Sequence, residues 1–221
     1  MEYKARIVHI TQVTHDTKSF ILEKPDGYKF IPGNATEVSI NKEGFVNEKR
    51  AFTFTSLNDD QHLEFIIKIY KSHNGVTKEF GKLKKGDELI IGDSWGVLEY
   101  KGPGYFIAGG AGITPFIAIL RQLKKENKLN GNKLLFSNKT SKDIILIREL
   151  IDAFGKDVVF TLTGEDKEGY DHGYIDERFL KKEVSDFHKQ FYLCGPPAMV
   201  DELSKTLAKL GASPAAVIFE N

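Results

Sequence analysis

The chain has 221 residues, 31 of them basic and 31 acidic, with 41% hydrophobic and 28% charged residues. A formal net charge of zero argues against general nucleic-acid binding, which needs a basic face to neutralise phosphates. The single cysteine, Cys194, excludes an intramolecular disulfide and a cysteine-ligated zinc or iron–sulfur site built within the chain.

The first hundred residues read as short strands rich in β-branched and aromatic residues: 3–15, 17–24, 35–40, 50–56 and 62–70. Turn clusters (KPDG, IPGN, NKEG, LNDDQ) separate them, a spacing that suggests an antiparallel barrel or sandwich. A short helix is expected over 76–83 and another strand over 87–92.

Near YKGPGY, residues 100–105, the pattern changes. Strands are expected at 105–110, 133–138, 157–164, 190–195 and 215–221, and helices at 114–128, 142–154, 175–182 and 198–211. Phe116, Ile117, Ile119, Leu120 and Leu123 fall on one face of the first of these helices. Such alternation implies right-handed crossovers and a parallel sheet. The expected boundary therefore divides the chain into domains 1–100 and 101–221. The start, MEYKARIVHI, has charges where a signal peptide needs an apolar core. The most apolar run, YFIAGGAGITPFIAIL, is short and glycine-rich for a membrane span. The expectation is a soluble, cytoplasmic protein without membrane or nucleic-acid partners.

Four stretches carry chemistry. In IAGGAGITPF, Gly109, Gly110 and Gly112 follow an apolar strand, Thr114 suits an N-cap and Pro115 the first helical position. Exposed amides at such a turn attract a pyrophosphate, and a tight strand-to-helix turn without ligand is the alternative. Pro115 stands where a dinucleotide fingerprint has its third glycine, and Asn138 and Lys139 stand where its acidic residue would be. In QFYLCGPPAM, Cys194 ends a strand, so it and Gly112 can line one crevice at strand carboxyl ends. Three readings of the thiol compete: a small buried residue, a nucleophile with His172 or His188 as base, and a contact in a redox site. KRAFTFTS places Arg50, Phe52 and Thr53 on one strand, and Gly75, Val76 and Thr77 open a helix as a second anion cradle. Two phosphate-friendly turns point to two nucleotide ligands. The histidines (His9, His15, His62, His73, His172, His188) lack metal-ligand spacing, so no metal is expected.

In this order the motifs resemble those of the ferredoxin–NADP reductase superfamily of flavoproteins. RAFT is similar to its Arg-x-Tyr-Ser/Thr flavin motif, GVT to its flavin-pyrophosphate motif, GGAGITP to its dinucleotide turn and CGPPAM to its nicotinamide-site motif; GYID is also family-like. The resemblance implies an N-terminal antiparallel β-barrel that binds FAD, rather than FMN, and a C-terminal α/β domain with a five-stranded parallel sheet that binds NADH or NADPH. It implies that Arg50 pairs with the flavin pyrophosphate beside Gly75, Val76 and Thr77. Phe52 would lie against the isoalloxazine, Ala51 would be among the cofactor-binding residues, Thr53 would place its hydroxyl near N5, and Ile67, Lys68 and Ile69 would run beside the ribityl–phosphate chain. Gly110, Gly112, Ile113 and Thr114 would hold the nicotinamide dinucleotide, with Cys194, Gly195, Pro196 and Met199 bordering the nicotinamide. Glu220 resembles a carboxylate that family members place near the flavin. The catalytic set is thus Thr53, Cys194 and Glu220.

The sequence departs from this pattern at Phe52, where the family has tyrosine, and in having no aromatic residue after Glu220. Asn138 and Thr140 suit a ribose diol, and Lys139 is a lone point charge for a 2′-phosphate, which favours NADH. The implied activity is hydride transfer from NAD(P)H to FAD and onward transfer to a carrier such as ferredoxin, flavodoxin or a haem protein, or to a small acceptor. Lys82, Lys84 and Lys85 would help steer an acidic carrier. A non-catalytic nucleotide-binding subunit and a Cys194-dependent hydrolase or transferase are the alternatives.

Overall fold

A computed structural model describes residues 1–70, 75–96 and 98–219. The chain divides into two compact units, Met1–Val97 with Thr114–Gln122, and Leu98–Ile113 with Leu123–Asn221.

The first unit is an antiparallel barrel. Its strands are β1 (Tyr3–Thr14), β2 (Thr17–Glu23), β3 (Asn34–Ile40), β4 (Arg50–Thr53), β5 (His62–Lys68), β6 (Glu88–Ile91) and the two-residue β7 (Trp95–Gly96). They pair in the order β4-β3-β6-β1-β2-β5, with β7 against β3. The 12-residue β1 spans the turn of the sheet: Tyr3–Arg6 pair with β6, and Ile7–Thr14 pair with β2. Register shifts at Ile7/His9 and Gln12/Thr14 supply the bends that a closing sheet needs. Beyond β4, the Phe54 amide donates to Asn34 O at 3.1 Å, and the Thr55 amide donates to Glu64 O on β5 at 2.9 Å. The second bond joins the two ends of the strand order and closes the ring.

Alternation sends Phe20, Leu22, Val38, Ile40, Leu63 and Phe65 into one core. Helix α1 (Val76–Phe80) covers it with Val76 and Phe80, whose ring meets Phe20 and Phe52 edge-on at 5.9 and 5.4 Å. The expected strands at 50–56 and 62–70 are shorter in the structure. Just beyond β4 the backbone bonds pass from β3 to β5: the Phe54 amide still bonds Asn34 of β3, and the Thr55 amide bonds Glu64 of β5.

The second unit is a parallel sheet, β11-β10-β9-β8-β12-β13, built from β8 (Gly104–Gly109), β9 (Lys133–Asn138), β10 (Val158–Leu162), β11 (Asp171–His172), β12 (Gln190–Cys194) and β13 (Val217–Phe219). Every pair is parallel. Five strands were expected; the two-residue β11 adds a sixth at one edge. The connecting helices are α2 (Thr114–Lys125), α3 (Ile147–Phe154), α4 (Glu177–Glu183) and α5 (Pro197–Lys209). All six residues of β8 are buried, as a strand covered on both faces requires. The chain runs β8, β9, β10 toward one edge and then returns to β12 on the other side of β8. The order therefore reverses between β8 and β12, the topological switch point where open α/β sheets bind ligands.

The expected helix 142–154 is instead a short 3₁₀ turn, Ser141–Asp143, followed by α3 from Ile147. Asp143 accepts from the amide and hydroxyl of Thr140, and Leu146 adopts φ 54°, which breaks helical continuity. The intervening Ile144 and Ile145 are buried. The final strand, expected from 215, begins instead at Val217, because Pro214–Ala216 form a 3₁₀ turn; residues 220 and 221 lie outside the described residues.

Candidate functional site

The two glycine-containing motifs of the parallel unit meet at the switch point. Ala108 is paired with Cys194, so the ends of β8 and β12 lie side by side. Beyond them, Gly110–Ile113 form a 3₁₀ turn leading into α2, and Pro196 precedes α5 with Pro197 at its first position. Their glycines serve different ends. A Cβ at Gly112 would lie 2.3 Å from Cys194 O, so Gly112 is required by the close approach of the two turns. A Cβ at Gly109 would lie 2.6 Å from Met199 Sδ, and one at Gly195 3.2 Å from the same sulfur and from Gly109 N. Of the four glycines at these two turns, Gly110 is the one that combines a left-handed φ, +53°, with no neighbour within 4 Å of its would-be Cβ, leaving its backbone open to a ligand. Met199 therefore packs the floor of the crevice. Ile113 is buried and Thr114 opens α2.

The turn after β9 carries a second polar feature. Asn138 is 4% exposed, and both its side-chain Nδ2 and Oδ1 lack a hydrogen-bond partner among the described residues. A buried carboxamide with neither end satisfied is costly unless a ligand or water completes it. Thr140, the expected second ribose contact, donates its hydroxyl to Asp143 at 2.7 Å. The Ser141 amide donates to Glu165 at 2.6 Å. Two carboxylates therefore hold the first donors after Lys139, which is itself exposed.

In the barrel unit, β4 carries Arg50, Ala51, Phe52 and Thr53 with exposure falling along the strand. Arg50 is half-exposed, 3.8 Å from Glu48, and donates to Lys49 O at 2.7 Å. Phe52 is half-buried against Phe80. Thr53 is 6% exposed and its Oγ1 has no hydrogen-bond partner among the described residues. A buried hydroxyl in that state fits a cofactor that offers it an acceptor or donor. The side chains of Ile67 and Ile69 lie in the barrel core, so only their backbone is available to a ligand. Lys68 is paired with Asp16 at 3.0 Å. Burial pushes the Asp16 carboxyl up, but Lys68, Thr14 and His15 outweigh it and hold it below the usual carboxylate range. Gly75 precedes α1 in an extended conformation, Val76 is a core residue and Thr77 is half-buried. Glu220 lies outside the described residues.

The topology sets both histidines considered as a base, His172 and His188, apart from Cys194. His188 precedes the amino end of β12 and Cys194 ends it; the four residue steps of strand from Gln190 to Cys194 alone span about 13 Å. His172 is on β11, four strand spacings from β12, about 19 Å. Cys194 is 6% exposed. The nucleophile reading is thereby withdrawn, and the thiol remains as a compact residue at the crevice.

Known proteins agree with this geometry. Residues 4–100 match the oxidoreductase FAD-binding domain, and residues 106–205 the oxidoreductase NAD-binding domain. The chain is 32% identical over 219 residues to NADH-cytochrome b5 reductase 2 of Mycosarcoma maydis, covering 88% of this chain and 62% of that protein. It is 24% identical over 230 residues to the toluate 1,2-dioxygenase electron transfer component of Pseudomonas putida, covering 99% and 67%. The chain thus spans about three-fifths to two-thirds of the length of these curated relatives. Its fold is that of the FAD/NAD-binding domain of nitric oxide dioxygenase from Vibrio cholerae O1 biovar El Tor, with TM-score 0.87, 22% identity and coverage of 98% and 97%. It is equally like a ferredoxin NADP+ reductase from Neisseria gonorrhoeae with bound FAD and NADP, with TM-score 0.87, 20% identity and coverage of 100% and 98%. With an FAD-binding barrel followed by an NAD-binding parallel sheet, the chain belongs to the ferredoxin–NADP reductase family of two-domain flavoproteins.

Proposed function

We propose that the chain oxidises NAD(P)H through bound FAD and delivers electrons to a carrier protein, such as ferredoxin, flavodoxin or a haem protein, or to a small acceptor. The FAD-binding domain takes residues 1–100 and the NAD(P)H-binding domain 101–221, in a cytoplasmic protein. The observation that carries this reading is the buried Thr53 hydroxyl, without a hydrogen-bond partner among the described residues, inside the flavin motif of an FAD-binding domain.

When bound, the cofactors supply transfer of a hydride from reduced nicotinamide to flavin, with two electrons then leaving to the acceptor. The protein binds, orients and shields. Arg50 and the amides of Gly75, Val76 and Thr77 hold the flavin pyrophosphate, and the backbone of Ile67 to Ile69 lies along the ribityl chain. Phe52 would meet the flavin ring through ring contact alone, with Ala51 beside it in the flavin site, and Thr53 would offer its hydroxyl to the flavin. Gly110, Gly112, Ile113 and Thr114 hold the dinucleotide. Cys194, Gly195, Pro196 and Met199 shape a crevice that admits the nicotinamide closely and excludes water. Asn138 takes the ribose diol with Lys139 beside it. Asp143 and Glu165 hold the Thr140 and Ser141 donors a 2′-phosphate needs, which favours NADH. Glu220 completes the catalytic set.

The test is the visible spectrum of the purified protein, followed by anaerobic stopped-flow reduction with NADH and NADPH. A yellow protein bleached faster by NADH, and oxidising it steadily with ferricyanide, is the expected result. Protein that stays colourless after incubation with FAD would remove the proposal, and bleaching without turnover would leave a non-catalytic subunit.

A further inference from the structure

Helix α2 begins at the dinucleotide turn, yet its residues Thr114–Gln122 pack as part of the barrel unit. Two turns along it, Arg121 Nη1 donates to the Thr55 carbonyl at 2.8 Å and is in direct ion-pair contact with Glu64 Oε2. Glu64 is itself held on both oxygens: Ser19 Oγ donates to Oε1 at 2.7 Å and Thr55 Oγ1 to Oε2 at 2.9 Å. Thr55 and Glu64 are also the two residues whose backbone bond closes the barrel. Thr55 lies two positions beyond Thr53, on the same side of an extended chain. Three side chains, from β2, the segment after β4 and α2, thus converge on the one carboxylate of β5.

A barrel does not need this arrangement for its own closure, because the Thr55–Glu64 backbone bond already provides that. The guanidinium adds a tie between that bond and α2. Arginine suits the task because its rigid fork can satisfy a carboxylate and a carbonyl at once, which a lysine ammonium on a flexible stem cannot do with fixed geometry.

We propose that Arg121 is a positioning residue for hydride transfer: through Glu64 and Thr55 it fixes the first two turns of α2, and so Thr114, against the strand that carries Thr53. The proposal rests on the flavoenzyme reading above. Reaction rates fall steeply with small misplacements, on the order of a hundredfold for about 1 Å. Loosening this tie therefore slows flavin reduction without removing any group that touches either cofactor.

The experiment uses the FAD-loaded chain and the variants Arg121→Met, Arg121→Lys and Glu64→Gln. Flavin content, the NADH concentration dependence, the limiting rate of anaerobic flavin reduction, and its isotope effect with 4-deuterated NADH are measured. The expected result for Arg121→Met is a limiting reduction rate lower by about ten- to a hundredfold. Flavin content is unchanged, half-saturating NADH shifts less than about twofold, and the isotope effect is undiminished. Arg121→Lys recovers part of the rate, and Glu64→Gln, which keeps the hydrogen-bonding shape, falls between. Should Arg121→Met fail to fold, the Lys and Gln variants carry the same comparison. A limiting rate within twofold of wild type, with only the melting temperature lowered, makes the cluster purely structural and overturns the proposal. So does a loss that appears wholly as lost flavin or weaker NADH binding. A wild-type protein that binds no flavin would instead defeat the flavoenzyme reading itself.

Discussion

Replacing Gly112 by alanine puts the meeting of the two turns to the test. The added Cβ would stand 2.3 Å from Cys194 O, 2.5 Å from its carbonyl carbon and 2.6 Å from Gly195 N. Ordinary contact begins near 3.4 Å, so about 1.1 Å (3.4 − 2.3) has to be opened between two backbones. One of them belongs to β12, whose Cys194 is locked in register with Ala108 of β8. Gly112 does not have a left-handed φ, so the contact and not backbone strain sets the cost. Overpacking a well-packed site costs about 1–3 kcal/mol, and an obstacle made of backbone belongs in the upper part of that range. Urea unfolding of Gly112→Ala should therefore show a loss of about 2–3 kcal/mol, with weaker NADH binding. Two companion variants isolate the cause. Gly110→Ala has open space but φ +53°, and should lose about 1–2 kcal/mol from conformation alone. Gly109→Ala meets mainly the flexible Met199 sulfur, so adding Met199→Ala should restore much of its stability, whereas that second change should not rescue Gly112→Ala. Unfolding of Gly112→Ala within about 0.5 kcal/mol of wild type, the range of inert surface changes, would refute the close approach and with it the account of why this glycine is there.

Two further expectations use the barrel unit. Thr53→Val removes a buried hydroxyl that lacks a partner among the described residues and keeps the shape, so stability should hold or rise by about 1 kcal/mol. Flavin reduction by NADH should slow about tenfold, the equivalent of one hydrogen bond, with Thr53→Ser retaining the wild-type rate; an unchanged rate for the valine variant would exclude the hydroxyl's role. For Glu64, burial pushes the carboxyl up. The Arg121 charge and the hydroxyls of Ser19 and Thr55 outweigh burial and hold it below its ordinary value of 4.5. A carboxyl lowered on folding stabilises fully above its unfolded pKa, and that contribution is lost as pH falls through the folded value. Wild type should therefore lose stability below pH 4.5 more steeply than Glu64→Gln, as read by thermal melts across that range; parallel curves would deny the pairing.

The strands of the parallel unit were legible because covered strands are continuous apolar runs: KLLFSN appears in the sequence and β9 occupies those same residues. The barrel strands were legible from alternation, with ends misplaced by a residue or more; β4 stops at Thr53, one residue before the backbone passes from β3 to β5. The helix expected at 142–154 failed for a physical reason. Its apolar spacing is helical, but the Thr140–Asp143 cap and the left-handed Leu146 divert the chain locally. The two-residue strands β7 and β11 carry no periodicity to read. In the site, the glycine turn and the cysteine motif were visible, while the division of labour among glycines was not. Only the neighbours of each absent Cβ reveal that Gly112 and Gly109 serve packing and Gly110 is open. The Arg121–Glu64 tie lacked any sequence signal, because a charged residue on a helix and one on a strand each read as solvated until the fold brings them together.

Asn138 offers a test that separates binding from scaffolding. Both ends of its buried carboxamide lack a partner among the described residues, so unless a water or a ligand meets them the side chain burdens the fold with two unmet hydrogen-bonding groups. Leucine has nearly the same shape and asks for no partner; where a polar group is unsatisfied, such a replacement is neutral or stabilising, by about 1–3 kcal/mol. If the carboxamide instead meets the dinucleotide, ligand binding repays that cost, and stabilisation by ligand grows as RT ln(1 + [L]/Kd). The two effects have opposite signs in one variant. Asn138→Leu should melt at or above the wild-type temperature without nucleotide, yet gain less on titration with NAD+. A residue retained for packing gives the reverse pattern, a lower melting temperature and an unchanged response to NAD+. That outcome would break the link between an unsatisfied buried group and a binding role, on which the reading of Thr53 also depends.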